Sequence, residues 1–335
     1  MIGIVSDPIF MRHDTGGYHP ESPLRIQSIH NLFAGGGPDF ILVEPQEAAV
    51  EDILQVHEKR YVQHIRQSCT SGRLVDLDPD TICSAGSYDV SLLAAGSIIK
   101  LADMALRSEI TGGLAFVRPP GHHATSDQAM GFCIFNNVAI AAKWANINHG
   151  IKKILIVDFD VHHGNGTQEC FYNDDSVLYF STHQYPFYPG SGSLSEIGKS
   201  AGEGFTVNCP LSSRKNDAQY ASIYQHILAP IVEVFKPGLI LVSAGFDVHA
   251  MDPIGGMNLS SEGFGAIAGI IQEAARKINA PVVYTLEGGY HREAMRDSIS
   301  RMLDVIIHMR NSAVEPVMWS ELDTIMEMHR HNWNL

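Results

Sequence analysis

Short apolar runs rich in β-branched residues recur at Ile2–Val5, Leu114–Val117, Ile154–Val157, Val177–Phe180, Leu239–Val242 and Val282–Leu286. Runs of this length and make-up predict strands buried on both faces. Between them, Ser87–Arg107, Asn136–His149, Asp217–Phe235, Ser260–Asn279 and Glu293–Met309 carry a 3.6-residue hydrophobic period, which predicts helices packed on a core. The alternation predicts one α/β domain, with a mainly parallel sheet and helices on both of its faces. No repeat, low-complexity tract or linker divides the chain, so residues 1–335 read as a single domain. The Gly/Ser-rich stretch Pro189–Gly204 reads as a long loop at the rim of a site, because strand-like sequence resumes at Phe205.

Polar motifs follow these strands. RPPGHH (118–123) comes after LAFV, DFDVHHGNG (158–166) after ILIV, and STHQ (181–184) after VLYF. GFDVHAMDP (245–253) comes after LILVSA, and EGGY (287–290) after VVYTL. Open α/β sheets bind ligands at the carboxyl ends of their strands, so the five motifs are read as one site.

Composition adds limits. With 45% hydrophobic and 18% charged residues in 335, the chain can bury a large core. It begins without a basic leader segment and has no run of about 18 apolar residues, so a soluble, cytoplasmic protein without a membrane span is expected. Five cysteines without CxxC spacing indicate neither a disulfide framework nor a thiolate metal site. A formal net charge of −14 argues against direct nucleic-acid binding and favours a cationic partner. Four of the 17 histidines stand in two adjacent pairs, His122-His123 and His162-His163.

Asp160 and His162 lie two apart at a strand end, so both side chains point the same way, and Asp247 after another strand offers a third ligand. Two carboxylates and one imidazole suit Zn²⁺ with an open position, the arrangement that activates water and polarises an amide carbonyl. The plain alternative is helix capping by Asp and His, which the second histidine pair and Asp247 make the weaker reading. His122 and His123, held in a Pro-Pro-Gly turn, suit general acid and base work near neutral pH. Tyr290, after Gly288-Gly289, offers a hydroxyl to a developing oxyanion.

Together RPPGHH, GFC with Phe132, DxDxHHGNG, GFDxxxxDPxGG and EGGY resemble the zinc-dependent histone deacetylase family, especially its class II and bacterial deacetylase-like members, from about Pro20 to Asp304. The resemblance implies an arginase-like three-layer α/β/α fold with an eight-stranded parallel sheet. It implies that Asp160, His162 and Asp247 hold one zinc, that His122 and His123 form the acid/base pair, and that Tyr290 polarises the substrate carbonyl. It also implies that Asp158 orients His122. A structural potassium ion is expected at Asp158, Ser181 and Thr182, with the backbone of Asp160 and His162. Phe132 and Tyr188 look like the walls of an acyl-lysine tunnel, with Gly131, Gly288 and Ile254 also facing substrate.

Some positions shade the resemblance. Asn165 stands where class I members carry Asp, which makes His123 less basic. Tyr188 replaces the usual Phe, and Ile254 stands where polyamine-selective relatives place a Glu, so acyl-lysine is favoured over acetylpolyamine. Asp80 matches a rim aspartate that grips substrate backbone, or is a solvated turn residue. Arg25 resembles an internal-channel arginine, or pairs with an acid at a helix start. His183 is assigned only packing and hydrogen bonding. His13, His19, His57, His64, His329 and His331 are read as surface residues, with His19 near the rim.

The leading expectation is therefore a zinc amidohydrolase acting on an acyl-lysine protein or peptide, or on a small acetylated amine. Competing readings are an acetylpolyamine amidohydrolase, a dinuclear manganese ureohydrolase, and an acyl-lysine reader on an inactive scaffold. His249 takes the place of the second Asp in the ureohydrolase motif, and no expected catalytic group is missing, which counts against the last two. A homo-oligomer would use the N-terminal segment or the loop Pro189–Gly204.

Overall fold

The computed structural model describes residues 1–33, 35–310, 314–333 and 335. Its strands are β1 (Ile2–Ser6), β2 (Phe40–Leu42), β3 (Val75–Asp78), β4 (Thr81–Cys83), β5 (Gly112–Phe116), β6 (Ile154–Asp158), β7 (Val177–Gln184), β8 (Thr206–Leu211), β9 (Leu239–Ala244) and β10 (Val282–Leu286). Eight form one sheet in the order β2-β1-β5-β10-β9-β6-β7-β8, with every neighbouring pair parallel. Each residue of β5, β6, β9 and β10 is buried, which is why those segments read as continuous apolar runs. The helices fall into two packed groups. Ser87–Leu106 and Asn137–His149 pack together, while Ser261–Ile278 contacts Arg292–His308, Asp217–Ile223 and Ala229–Phe235.

The structure departs from the sequence reading at several elements. The helix expected over Asp217–Phe235 is one path in three pieces, because Tyr224–Leu228 takes the wider π turn. Pro230 lacks an N–H and its ring would collide with the carbonyl four residues earlier, and the wider turn relieves both. STHQ does not follow a strand end: β7 runs on to Gln184. β3 and β4 form a separate antiparallel hairpin whose turn holds Pro79 and Asp80. Helices Leu24–Phe33, Lys59–Cys69 and Ser320–His329 were not anticipated, although Tyr61, Ile65 and Cys69 of the second are buried at four-residue spacing.

Candidate active site

The carboxyl ends of β5, β10, β9 and β6 are consecutive neighbours in mid-sheet, so the segments following them converge. Past β6, Asp160 Oδ1 accepts from His162 N at 2.9 Å and lies 3.1 Å from His162 Nδ1. Past β9, Asp247 Oδ1 accepts from Val161 N at 2.9 Å, while Asp247 Oδ2 lies 3.4 Å from His162 Nδ1. One ligand atom from each of Asp160, His162 and Asp247 lies within 4.8 Å of the others, and all three residues are buried. Asp247 Oδ2 has no hydrogen-bond partner. Burial and the Asp160 charge push the Asp247 carboxyl up to about 7. Two buried carboxylates, one of them with an orphan oxygen, make a set that a divalent cation satisfies. His249 is outside this set: its Nδ1 accepts the Met251 amide at 3.1 Å, closing a local turn.

Past β10, Gly288 N donates to Asp160 Oδ2 at 2.8 Å, and a Cβ at Gly288 would collide with Asp247 Oδ2 and Asp160 Oδ2. The backbone thus passes where a side chain would displace the donor set.

Past β5, the two histidine rings lie 4.0 Å apart between centroids. His122 Nδ1 is 3.0 Å from Asp158 Oδ2, which also accepts from Tyr179 Oη at 3.0 Å. His123 Nδ1 is 2.8 Å from Asn165 Oδ1. The Asn165 amide nitrogen donates to the His123 carbonyl at 3.3 Å, which turns Oδ1 toward the ring. His123 therefore donates through Nδ1 and keeps Nε2 as an acceptor. Burial alone lowers both pKa values, but the charges of Asp158 and Asp160 outweigh it at His122 and push that group up to about 10. At His123, burial and the neighbouring His122 and His162 hold the pKa well below the ordinary value.

A cavity of about 190 Å³ opens over these groups, lined by all the expected substrate-facing residues: Gly131, Phe132, Tyr188, Ile254, Asp80, Gly288 and Tyr290. Phe132 has φ of +68°, an uncommon value for a residue with a side chain. Its turn is fastened by Asp80 Oδ1 accepting from Gly131 N at 3.0 Å and Thr81 Oγ1 accepting from Phe132 N at 3.0 Å. Asp80 is thus a half-buried lining residue that holds one tunnel wall, rather than a solvated turn. Tyr188 meets the His123 ring edge-on at 5.2 Å and reaches the surface, 38% exposed.

Several site residues escaped the sequence reading. Phe187 stacks on His162 at 5.3 Å and adds a wall, for which its place beside Tyr188 was the available signal. Asp252 Oδ2 accepts from Tyr290 N at 2.6 Å and His291 N at 3.2 Å, and its Oδ1 accepts from Ile254 N at 3.0 Å. One carboxylate thereby positions both the tyrosine and the apolar lip. Glu287 Oε2 accepts from Gly121 N at 2.7 Å and His122 N at 3.3 Å. The β6–β7 register sets Asp158 beside Ser181; Thr182 Oγ1 is 3.0 Å from Tyr224 Oη, and Ser181 Oγ is 2.9 Å from His183 Nδ1.

Three histidines read as surface residues are buried. His13 meets Ser87 Oγ at 2.7 Å, His57 meets the Thr125 carbonyl at 2.8 Å, and His329 meets the Asn208 carbonyl at 3.0 Å. Burial holds these imidazoles neutral, each hydrogen bond offsets part of the cost of burying a ring, and the partners lie far away in sequence. His64 and His331 are exposed, while His19 is half-buried, edge-on to Phe132 at 4.7 Å. Arg25 is buried and pairs with Glu21 at 2.9 Å, as the acid-pairing expectation has it, and it lies 5.0 Å from the Tyr290 ring centroid.

Comparison with known proteins agrees with this geometry. The histone deacetylase domain family matches residues 19–306. A "probable deacetylase" of Archaeoglobus fulgidus is 37% identical, across 98% of this chain and 95% of its own length. "Histone deacetylase 14, chloroplastic" of Arabidopsis thaliana is 37% identical, across 84% of this chain and 71% of its own. A crystal structure described as that of the HDA15 HD domain has a TM-score of 0.92 at 32% identity, covering 99% of this chain and 95% of that one. The architecture is the arginase/deacetylase fold. Among the described residues no helix is long and apolar enough to cross a membrane. With the motifs, the fold and the relatives in agreement, the chain is a deacetylase, a hydrolase of the histone deacetylase family.

Proposed function

We propose that this enzyme removes acetyl or a related acyl group from lysine side chains, using one zinc ion held by Asp160, His162 and Asp247. The observation that carries the reading is the orphan Asp247 Oδ2, buried beside Asp160 and His162 at the foot of an aromatic-walled cavity that also holds His122, His123 and Tyr290. Zinc at such a donor set supplies a Lewis acid that polarises the amide carbonyl and makes water nucleophilic near neutral pH.

The remaining chemistry belongs to side chains. Phe132, Phe187 and Tyr188 sheathe the methylene chain of the substrate and keep bulk water off the reacting amide. The Tyr290 hydroxyl donates to the carbonyl oxygen as negative charge develops on it. His122, anchored on Asp158, and His123, anchored on Asn165, serve the proton transfers: His123 Nε2, unprotonated at rest, takes up the proton that the attacking water gives up and then delivers it to the departing ε-amine. We also read Asp158, Ser181 and Thr182, with the backbone of Asp160 and His162, as a structural potassium site.

A second substrate class has one feature in its favour, since Asp80 brings a carboxylate to a cavity whose Ile254 lip offers a second ammonium nothing. The deciding experiment is kcat/KM of the zinc-loaded enzyme on an acetyl-lysine peptide and on an acetylated polyamine, with Tyr290→Phe as the blank. Preference for the peptide supports the acyl-lysine reading. Preference for the polyamine overturns it and makes Asp80 the source of selectivity.

A further inference from the structure

Beneath the site lies a group of charges that never touches the cavity. Glu21 Oε1 accepts from Arg25 Nη1 at 2.9 Å and from Arg118 Nε at 2.5 Å, and Glu21 Oε2 accepts from Arg118 Nη2 at 2.6 Å. All three residues are at most 1% exposed. Each arginine then reaches onward. Arg25 donates to the Gly289 carbonyl at 2.7 Å and the Glu287 carbonyl at 2.5 Å, the two residues flanking Gly288 just ahead of Tyr290. Arg118 donates to the carbonyls of Phe10 and His13 at 3.1 and 2.9 Å, and it begins the turn that carries His122 and His123.

Stability is a weak reason for such a cluster, because apolar residues of similar volume commonly hold a core as well as a buried ion-pair triad does. The cluster does something an apolar trio cannot. A planar guanidinium forks between a carboxylate and two backbone carbonyls, fixing their separation. One carboxylate gripping two such forks fixes two loops to each other.

We propose that Glu21 is a positioning residue for the hydrolysis, its carboxylate joining through Arg25 and Arg118 the loop of Tyr290 to the loop of His122 and His123. The group that stabilises the oxyanion and the groups that move protons are set at one spacing by a residue that meets neither substrate nor metal. The kinetic part of this inference rests on the function proposed above, and the structural part does not.

The test compares zinc-loaded wild type, Glu21→Gln and Arg25→Met by hydrogen exchange and by steady-state kinetics on an acetyl-lysine peptide. In Glu21→Gln, amides of 118–123 and 287–292 both exchange about tenfold faster while the strands of the sheet do not. Its kcat falls by about ten- to a hundredfold with KM within about twofold, the signature of lost alignment rather than lost binding. Arg25→Met leaves Glu21 and Arg118 as a one-to-one pair, so it keeps the fold even where Glu21→Gln does not. It speeds exchange at 287–292 only and lowers kcat likewise. Faster exchange spread over the whole sheet, or full kcat with both loops loosened, overturns the proposal. A wild type inactive on the peptide refutes the proposed substrate, and the exchange pattern then decides the linkage by itself.

Discussion

Lowering the pH should unfold this enzyme through histidines remote from its chemistry, and His57 shows by how much. Its Nδ1–H donates to the Thr125 carbonyl at 2.8 Å and its Nε2 accepts the Asn136 amide at 2.9 Å, so both nitrogens are committed to the neutral tautomer. Burial pushes its pKa from 6.5 down to about 4, with the Thr125 and Ser126 backbone only partly opposing. The folded pKa lies below the unfolded one, so the contribution is complete above pH 6.5. It is lost as pH falls toward 4, where the unfolded chain binds a proton that the native ring refuses. Between pH 7.5 and 5.0 that one group costs about 2 kcal/mol, taking 1.36 kcal/mol per unit. His13, lowered to about 3, and His183, lowered to about 4, add in the same direction. Comparison with His57→Gln isolates the one group, because glutamine can donate to Thr125 and accept from Asn136 without titrating, and the other histidines cancel in the difference. Urea unfolding of both proteins at pH 7.5 and 5.0 is the assay. Wild type should lose about 2 kcal/mol more than the variant over that interval, and equal losses would refute the argument that burial keeps His57 neutral.

Three further outcomes bear on the site. Tyr290→Phe should lower kcat by about two to three orders of magnitude while zinc stoichiometry, read by metal analysis, stays at wild type; near-normal turnover removes the hydroxyl from the mechanism. Asp247→Ala should abolish stoichiometric zinc, and tight metal in that variant would mean the third ligand lies elsewhere. Gly288→Ala should weaken zinc by more than about a hundredfold with little change in melting temperature, because its Cβ falls on the two carboxylates rather than on the core; zinc bound at wild-type affinity would show that the backbone gives way there.

What the sequence makes legible follows from the range of each interaction. The central strands were readable because burial on both faces writes itself into a few adjacent residues, as in Ile154–Val157. The same holds for Asp160 and His162, whose shared direction follows from a spacing of two. The helix Lys59–Cys69 carries a readable period in its buried Tyr61, Ile65 and Cys69, whereas β2 has three residues at the edge of the sheet and little pattern to read. Long-range partners left no local trace. Arg118 meets Glu21 across 97 positions and Arg25 meets Gly289 across 264; only the Arg25–Glu21 pair, four residues apart, has a local trace. The buried histidines were misplaced for the same reason, since a lone His amid polar neighbours looks the same whether or not a distant helix covers it.

The topology explains why chemistry gathers where it does, and why selectivity does not gather there too. β5, β10, β9 and β6 are adjacent in space although β5 and β10 stand far apart in the chain, and neighbouring strands lie about 4.8 Å apart. Residues just past those four ends are therefore within one or two side-chain lengths of each other, enough to bring two carboxylates, three imidazoles and a phenol to a single point. The sheet holds that spacing by backbone hydrogen bonds, so the reacting groups inherit its rigidity. The tunnel walls come from elsewhere: Asp80 from the β3–β4 hairpin, Tyr188 from the segment after β7, and Ile254 from the turn braced by Asp252. Those pieces hang on a few side-chain bonds rather than on the ladder. Changes in them alter which amine enters without disturbing the donor set, whereas a change at Gly288, itself a lining residue, falls first on the donor set.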